Sequence, residues 1–331
     1  MFIVKKLSPA DFDQIVKEHP NVYVPIEQSY LWDKVDDLME IPRTVEGLYG
    51  YFKGKKLIAT ARLVTFKARM RNMTLVNQGP IWFTKCTQEL EEELIATMIK
   101  QFRNSTLYLR MQVNYKQKAV VPALEQFMYD RAIWVDLTPN EDDLMMSFSS
   151  TTRRRIRQAV KKGVTVHKID AAKAPKLMKD KMLPILRETT ERNDFTARSD
   201  DTYISMLKGL PENVVLYVAY VEDRPVCWLM STEYNAHSQY PYAAGNKEGR
   251  DTYASFLLQW EVMKDMKANG NKVWDMTGVA TEAFPQFKNV TQFKRGFSKN
   301  EVELSMHYDV PTSANKYKII TSALNLKRKL R

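Results

Sequence analysis

Val214-Val-Leu-Tyr-Val-Ala-Tyr-Val-Glu-Asp-Arg-Pro-Val-Cys-Trp-Leu-Met-Ser-Thr-Glu-Tyr234 is the stretch on which the fold turns. Two runs rich in β-branched and aromatic residues, Val214 to Val221 and Val226 to Tyr234, flank Glu222-Asp-Arg-Pro225. That pattern predicts a β-hairpin. Beyond it, Ser238 to Ala244 reads as a third strand, feeding a helix from Thr252 to Ala268 and a strand from Lys272 to Met276. Before it come a short helix over Asp142 to Ser147 and a helix from Thr151 to Lys162 closed by Gly163. A strand from Val164 to Ile169 and a helix from Ala174 to Asn193 then lead into the hairpin.

The same order is written once more toward the N-terminus. A helix starts at Ser8-Pro9, with proline early in the first turn where its missing N–H costs nothing. Tyr49 to Phe52 and Lys56 to Thr65 form a hairpin around Lys53-Gly54-Lys55. Leu75-Val76 run into the turn Asn77-Gln-Gly-Pro80, followed by an amphipathic helix from Glu89 to Arg103 and a strand from Thr106 to Val113. No sequence repeat is visible, yet the repeated order predicts two copies of one α/β unit. The length of 331 residues agrees, being about two domains of roughly 150. In the basic segment Thr312 to Arg331, Ile319, Ala323, Leu326 and Leu330 recur at helical spacing. This predicts an amphipathic C-terminal helix packed on one domain.

Composition narrows the function. With 44% apolar and 11% aromatic residues the chain has material for packed cores, so a disordered chain is excluded. Fifty Lys and Arg against 39 Asp and Glu leave a formal charge of +11, which favours anionic partners. Cys86 and Cys227 stand far apart in apolar contexts, and His19, His167, His237 and His307 are scattered, so neither a disulfide framework nor a metal spacing is written here. The start Met1-Phe-Ile-Val-Lys-Lys lacks an apolar leader core, and the apolar run Val214 to Val221 falls far short of the roughly 20 residues of a membrane span. A soluble, cytoplasmic protein is expected.

Two segments carry charge chemistry. Thr151-Thr-Arg-Arg-Arg-Ile-Arg-Gln-Ala-Val-Lys-Lys162 packs its cations together with no acid, on a helix that Ile156 and Val160 anchor by a thin apolar stripe. Such cations repel one another unless an anion lies alongside; a solvated helix face is the bland alternative. Thr291-Gln-Phe-Lys-Arg-Gly-Phe-Ser-Lys299 interleaves aromatics with cations and reads as an edge strand, where alternation sets Phe293 and Lys294 on opposite faces. Gly245 and Gly249 precede the Thr252 helix, but no phosphate-cradling glycine motif and no nucleophile elbow is present.

One set of motifs resembles a known family. Arg153-x-x-Ile156-Arg157-x-Ala159-x-Lys161-x-Gly163-Val164 is similar to the basic helix of the Fem family of peptidoglycan-bridge aminoacyltransferases. Ser29-Tyr-Leu-Trp-Asp-Lys34, Asn77 to Pro80, Tyr108-Leu-Arg110, Asn193-Asp-Phe-Thr-Ala-Arg198, Tyr242-Ala-Ala-Gly245, Tyr253 to Trp260, Trp274-Asp-Met-Thr-Gly278 and Phe293-Lys294-x-x-Phe297 follow in the family's order. The resemblance spans nearly the whole chain and implies two tandem GNAT-like acyltransferase domains, without the coiled-coil arm of larger relatives. Domain 1, at 1–140 plus 309–331 with the C-terminal helix packed back on it, would bind the precursor. Domain 2, at 141–308, would face aminoacyl-tRNA.

The resemblance also implies roles. Lys34 and Arg198 would hold precursor phosphates, with Tyr108 and Tyr242 lining the same cleft. Lys294 would sit at the reacting ester or the tRNA end, with Phe293 as its catalytic neighbour, and Arg153, Arg154, Arg157 and Lys161 would meet the tRNA backbone. The implied partners are aminoacyl-tRNA and either UDP-MurNAc-pentapeptide or lipid II, with peripheral contact at the anionic inner membrane face; no cofactor is implied. One position departs: where relatives often carry Asp two residues after the arginine matching Arg110, this chain has Gln112, so no carboxylate there can act as base. Asp275 is the other candidate base, though an Asp ending a strand is commonly structural. Two readings compete, a CoA-dependent N-acyltransferase and a non-catalytic module that binds RNA or an anionic membrane.

Overall fold

The computed structural model describes residues 2–67, 72–123, 128–193 and 196–329. Asp194, Phe195 and Leu330, named above, lie outside the described residues. The chain forms two compact units, the first from 1–36, 40–128 and 305–331, the second from 37–39 and 129–304.

The first unit is built on one mixed sheet of eight strands: β1 (Ile3–Lys6), β2 (Arg43–Lys53), β3 (Lys56–Phe66), β4 (Met73–Leu75), β5 (Ile81–Trp82), β6 (Tyr108–Gln112), β7 (Val121–Pro122) and, from the far end of the chain, β15 (His307–Pro311). Their order is β1-β2-β3-β4-β6-β15-β7, with β5 alongside β3. β2 and β3 form the expected hairpin, turned at Gly54 where φ is +59°. β4 and β6 pair in parallel, which requires a crossover, and α3 (Gln88–Phe102) supplies it. Leu94, Ile95, Met98 and Phe102 on α3 bury themselves with Tyr51, Leu63, Leu109 and Val310 of the sheet. Ahead of them, α1 (Pro9–Glu18) starts after Ser8, as the sequence predicts, and a Ser8–Asp11 capping box closes its first turn; α2 (Asp33–Asp36) is a single turn.

The second unit repeats the plan. Its strands are β8 (Arg131–Asp136), β9 (Val164–Lys168), β10 (Val214–Val221), β11 (Arg224–Tyr234), β12 (His237–Gly245), β13 (Val273–Gly278) and β14 (Glu301–Glu303), ordered β14-β8-β13-β12-β11-β10-β9. The Val214 hairpin is β10–β11, β12 lies antiparallel to β11, and β13 lies parallel to β12. Its helices are α4 (Glu141–Ser147), α5 (Ser150–Lys161), α6 (Ala174–Leu177), α7 (Leu183–Asn193), α8 (Asp200–Gly209), α9 (Lys247–Asp251), α10 (Ala254–Ala268) and α11 (Lys288–Arg295). α10 is the crossover between β12 and β13, buried on most of its surface. A π-helical turn, Met178–Met182, joins α6 to α7, and its Met182 carbonyl accepts from the buried Trp228 indole at 3.0 Å.

Three expectations shift. The units divide after Met128 and Leu304 rather than at 140 and 308, because β8 pairs with β13 and β14 inside the second sheet. The segment holding Phe293 and Lys294 is the helix α11, not an edge strand. Phe293 on the helix and Phe297 in the turn just after it lie edge-on at 5.3 Å. In the first unit the C-terminal helix α12 (Ala314–Lys329) is rotated from the expected stripe: Tyr317 is buried, whereas Ile319 is 70% exposed and Ala323 is exposed. The rotation is set by Tyr317, whose hydroxyl donates to Asp309 Oδ2 at 2.7 Å while its ring meets Tyr108 edge-on at 5.4 Å.

The same Asp309 joins the C-terminal strand to the sheet centre. Arg110 on β6 grips it through Nε at 2.6 Å and Nη2 at 3.0 Å, with both side chains at most 2% exposed. Removing one partner leaves a buried charge unpaired, so Asp309→Ala should destabilise the chain by about 3–5 kcal/mol. A urea midpoint unchanged from the parent's would show the pair to be dispensable.

Candidate functional site

The second unit carries an opening made by its own strand geometry. β12 and β13 pair only through His237–Gln239 against Val273–Asp275, although both strands run on. Past that point β12 stays with β11, and β13 departs from regular pairing with β8 between Asp275 and Gly278. Thr277 sits in this irregularity at φ +64°, a left-handed conformation that a β-branched residue adopts only under constraint. Gly278 has no room for a side chain, since a Cβ would stand 2.5 Å from the Tyr129 ring.

The irregular turn points its oxygens at Lys294. From α11 the ammonium donates to the Gly278 carbonyl at 2.6 Å and to Thr277 Oγ1 at 3.1 Å, and lies 5.4 Å from the Tyr240 ring centroid. Only 4% of Lys294 is exposed. Burial brings its pKa down to about 7 against the opposing pull of the nearby Asp275 carboxylate. Asp275, also buried, accepts from the Thr277 N–H at 2.6 Å and from Gln239 Nε2 at 3.3 Å. α11 is itself fixed at its middle and at its C-terminal end. Thr291 Oγ1 accepts from the Ala280 N–H at 2.8 Å, and the Gly296 carbonyl accepts from the Ser149 N–H, at the cap of α5, at 2.9 Å. Phe293 faces away from the lysine into an aromatic cluster, 4.8 Å from Phe256.

The remaining expected residues fall into groups. Arg198 and Tyr242 meet through Tyr203, which the sequence reading did not single out: Tyr203 shares a hydrogen bond with the Arg198 backbone and stands edge-on to Tyr242 at 4.8 Å. In the first unit Lys34 is exposed on α2, and Tyr108 is 9% exposed beneath Tyr317 and Arg110. On α5, Arg154, Arg157 and Lys161 are exposed. Arg153 instead donates through Nη1 to the Met146 carbonyl at 2.9 Å and the Phe148 carbonyl at 2.5 Å, closing α4. Arg155 lies over the Phe256 and Tyr253 rings, at 4.9 and 5.6 Å, and Lys162 over Tyr253 at 4.9 Å. Two further cations escaped the sequence reading. Arg192 and Arg250 both donate to the Gly245 carbonyl, at 3.3 and 3.4 Å, and burial together with the Arg250 charge lowers the Arg192 pKa.

A family model, the FemAB family, matches residues 125–225 and 223–324. No curated protein matches the chain. Among solved structures the chain is similar to FemX, with a TM-score of 0.76 and 14% identity over 96% of this chain and 99% of that one. A tandem GNAT protein from the clavulanic acid biosynthesis pathway gives 0.56 and 10% identity over 95% and 99%. The L-PGS structure from Bacillus licheniformis gives 0.50 and 13% over 97% and 98%. At such identities these matches establish the fold, which is that of tandem GNAT-like acyltransferases.

The buried amine makes a titration prediction. Because the folded pKa of Lys294 lies below the value near 10.4 of an exposed lysine, the unfolded chain holds a proton between about pH 7 and 10.4 that the folded chain lacks. Stability therefore rises with pH across that window. Lys294→Met should flatten the rise, so the stability difference between the two proteins should change by on the order of a few kcal/mol between pH 7 and 10. Parallel stability–pH curves would mean the lysine titrates normally.

Proposed function

The chain belongs to the FemAB family, and from that premise we propose that it moves an aminoacyl group from aminoacyl-tRNA to the stem-peptide side-chain amine of a peptidoglycan precursor, UDP-MurNAc-pentapeptide or lipid II. The observation that carries this reading is the Lys294 amine, poised near neutrality at the parting of β12 and β13 within the matched region. In the reaction the acceptor nitrogen bonds to the ester carbonyl carbon, an oxyanion forms, and the carbon–oxygen bond to the ribose breaks. The proton lost by the attacking amine ends on the ribose oxygen.

An ordinary acceptor amine must lose a proton to attack, which costs about 4–5 kcal/mol at pH 7 if nothing depresses its pKa. A lysine with a pKa of about 7 holds both protonation states at that pH. As ammonium it can donate to the oxyanion with the one hydrogen not given to Gly278 and Thr277; as amine it can take up a proton. Gln112 offers no carboxylate for that task, and Asp275 acts on the lysine's charge rather than on the substrate. Phe293, turned into the aromatic cluster, supports the helix that carries the lysine and does not itself line the reacting site. Lys34 and Arg198 are assigned to precursor phosphates, with Tyr108 and Tyr242 as lining.

For the donor, the outward Arg154, Arg157 and Lys161 are the phosphate contacts, and Arg153 adds charge from the base of the helix while closing α4. The reading places the reaction on the cytoplasmic side, where both substrates occur, with the anionic inner membrane face alongside when the acceptor is lipid-linked.

Incubation with charged tRNAs and both precursors, read by mass spectrometry, tests the whole reading: an aminoacylated precursor is expected, and none from any charged tRNA would overturn it. Lys294→Met should lower single-turnover transfer by about 10²–10³ while leaving precursor affinity within a few-fold. Replacing Arg154 and Arg157 together with Ala should weaken RNA binding and reduce its log–log salt slope by roughly one to two. An unchanged slope would make α5 a solvated face.

A further inference from the structure

We propose that Arg62 is a positioning residue that aims Lys34, by gripping the carboxylates on either side of it. The inference rests on the reading of Lys34 as a contact to precursor phosphate.

α2 is Asp33-Lys34-Val35-Asp36, and three of its four side chains are tied down. Arg62, on β3 and 3% exposed, donates through Nε to Asp33 Oδ1 at 2.7 Å and through Nη2 to Asp36 Oδ2 at 2.6 Å. The other Asp36 oxygen accepts from Arg43 Nη1 at 2.7 Å, and Val35 is fully buried. Lys34 is exposed and is the one side chain of α2 left without such a tie. Bridging two carboxylates from one side chain needs the rigid fork of a guanidinium, which a lysine at 62 could not reproduce.

The base of this grip is equally fixed. The Arg62 N–H donates to Gln28 Oε1 at 2.9 Å, and the buried Gln28 donates its amide to the Asn77 carbonyl at 2.5 Å. Gly79 stands so close that a Cβ there would lie 2.7 Å from Gln28. Two segments of the family resemblance, 29–34 and 77–80, are thus held to one arginine that neither contains.

Charge gives the grip a second purpose. A phosphate would be repelled by two carboxylates beside its lysine. Arg62 and Arg43 supply one positive charge for each, so Asp33 and Asp36 are neutralised and the Lys34 charge is left over. A buried arginine with two acids is weak evidence of stabilisation, and direction is a better account of it.

The sign of one mutation separates the explanations. Asp33 is 41% exposed, so Asp33→Ala is tolerated, and it removes a negative charge next to Lys34. Pure electrostatics would then tighten phosphate binding; loss of aim weakens it. Isothermal titration of UDP-MurNAc-pentapeptide into the full chain should show Asp33→Ala raising Kd at least about fivefold, a share of the tenfold or more expected for losing Lys34. Asp33→Asn keeps an oxygen for Arg62 and should stay within about twofold. In a Lys34→Ala background Asp33→Ala should do nothing further. Equal or tighter binding by Asp33→Ala, with Lys34→Ala weakened, would overturn the positioning role and leave the phosphate reading standing. Wild-type binding by Lys34→Ala would remove that reading and this inference together.

Discussion

A lysine amine taken out of water has to be met by oxygen, and the second unit is shaped around that requirement. Burial favours the neutral form, while the Gly278 carbonyl, Thr277 Oγ1 and the Asp275 charge favour the ammonium, and the balance settles near neutral pH. Each oxygen has a structural cost. The carbonyl and hydroxyl reach Lys294 only because β13 leaves regular pairing, Thr277 adopts positive φ, and position 278 carries no side chain against Tyr129. The Asp275 carboxylate stabilises the same turn by accepting the Thr277 N–H. Strain, glycine, carboxylate and lysine therefore form one arrangement, in which a strand irregularity sets where a side chain is aimed.

The two units share a plan and differ at the corresponding place. In the first, the chain past β4 stays bonded to β6: the Val76 N–H donates to the Arg110 carbonyl and the Gln112 N–H to the Gly79 carbonyl, both at 2.8 Å. In the second, β12 and β13 share three register positions and then part. Parallel strands joined by a crossover helix leave both options open, since nothing obliges their far ends to pair. The turn at 77–80 closes the gap in one unit, and among the described residues no equivalent turn joins β12 to β13 in the other. The Lys294 site belongs to the copy left open.

Most of the architecture was legible because its signals are periodic and local. The hairpins, the helices ended by Gly163 or begun by Ser8, and the repeated order all follow from turn residues and apolar spacing. β8 was missed because six residues without a clear alternation give no local signal, and only pairing with β13 makes them a strand. α11 was misread because Phe293 and Phe297 suit a helical face and a strand face equally until Phe256 and Phe148 are in place. Of the residues to which we assign roles, the family motifs contain Lys294, Lys34, Arg198 and Tyr242. Tyr203, which meets Arg198 and Tyr242, and Arg62, which grips the acids flanking Lys34, lie outside every motif, because such contacts are fixed by three-dimensional proximity and not by spacing.

Charge counting misleads in the same way. The basic run on α5 looks uniform in sequence, yet helical geometry divides it by angle. Arg153 closes α4, Arg155 and Lys162 cover aromatic rings, and Arg154, Arg157 and Lys161 are left facing outward. The inward arginines gain packing from their planar heads and long stems, so they hold the helix while the outward ones remain solvated. A long polyanion would meet only that outward row, at the 5.4 Å pitch on which residues about four apart align. The helix is joined to α11 through the Ser149–Gly296 hydrogen bond, with Gly296 so close that a Cβ would lie 2.4 Å from Thr152 Oγ1. Whatever docks on the row therefore docks on a helix whose N-terminal cap is hydrogen-bonded to the end of the helix that carries Lys294.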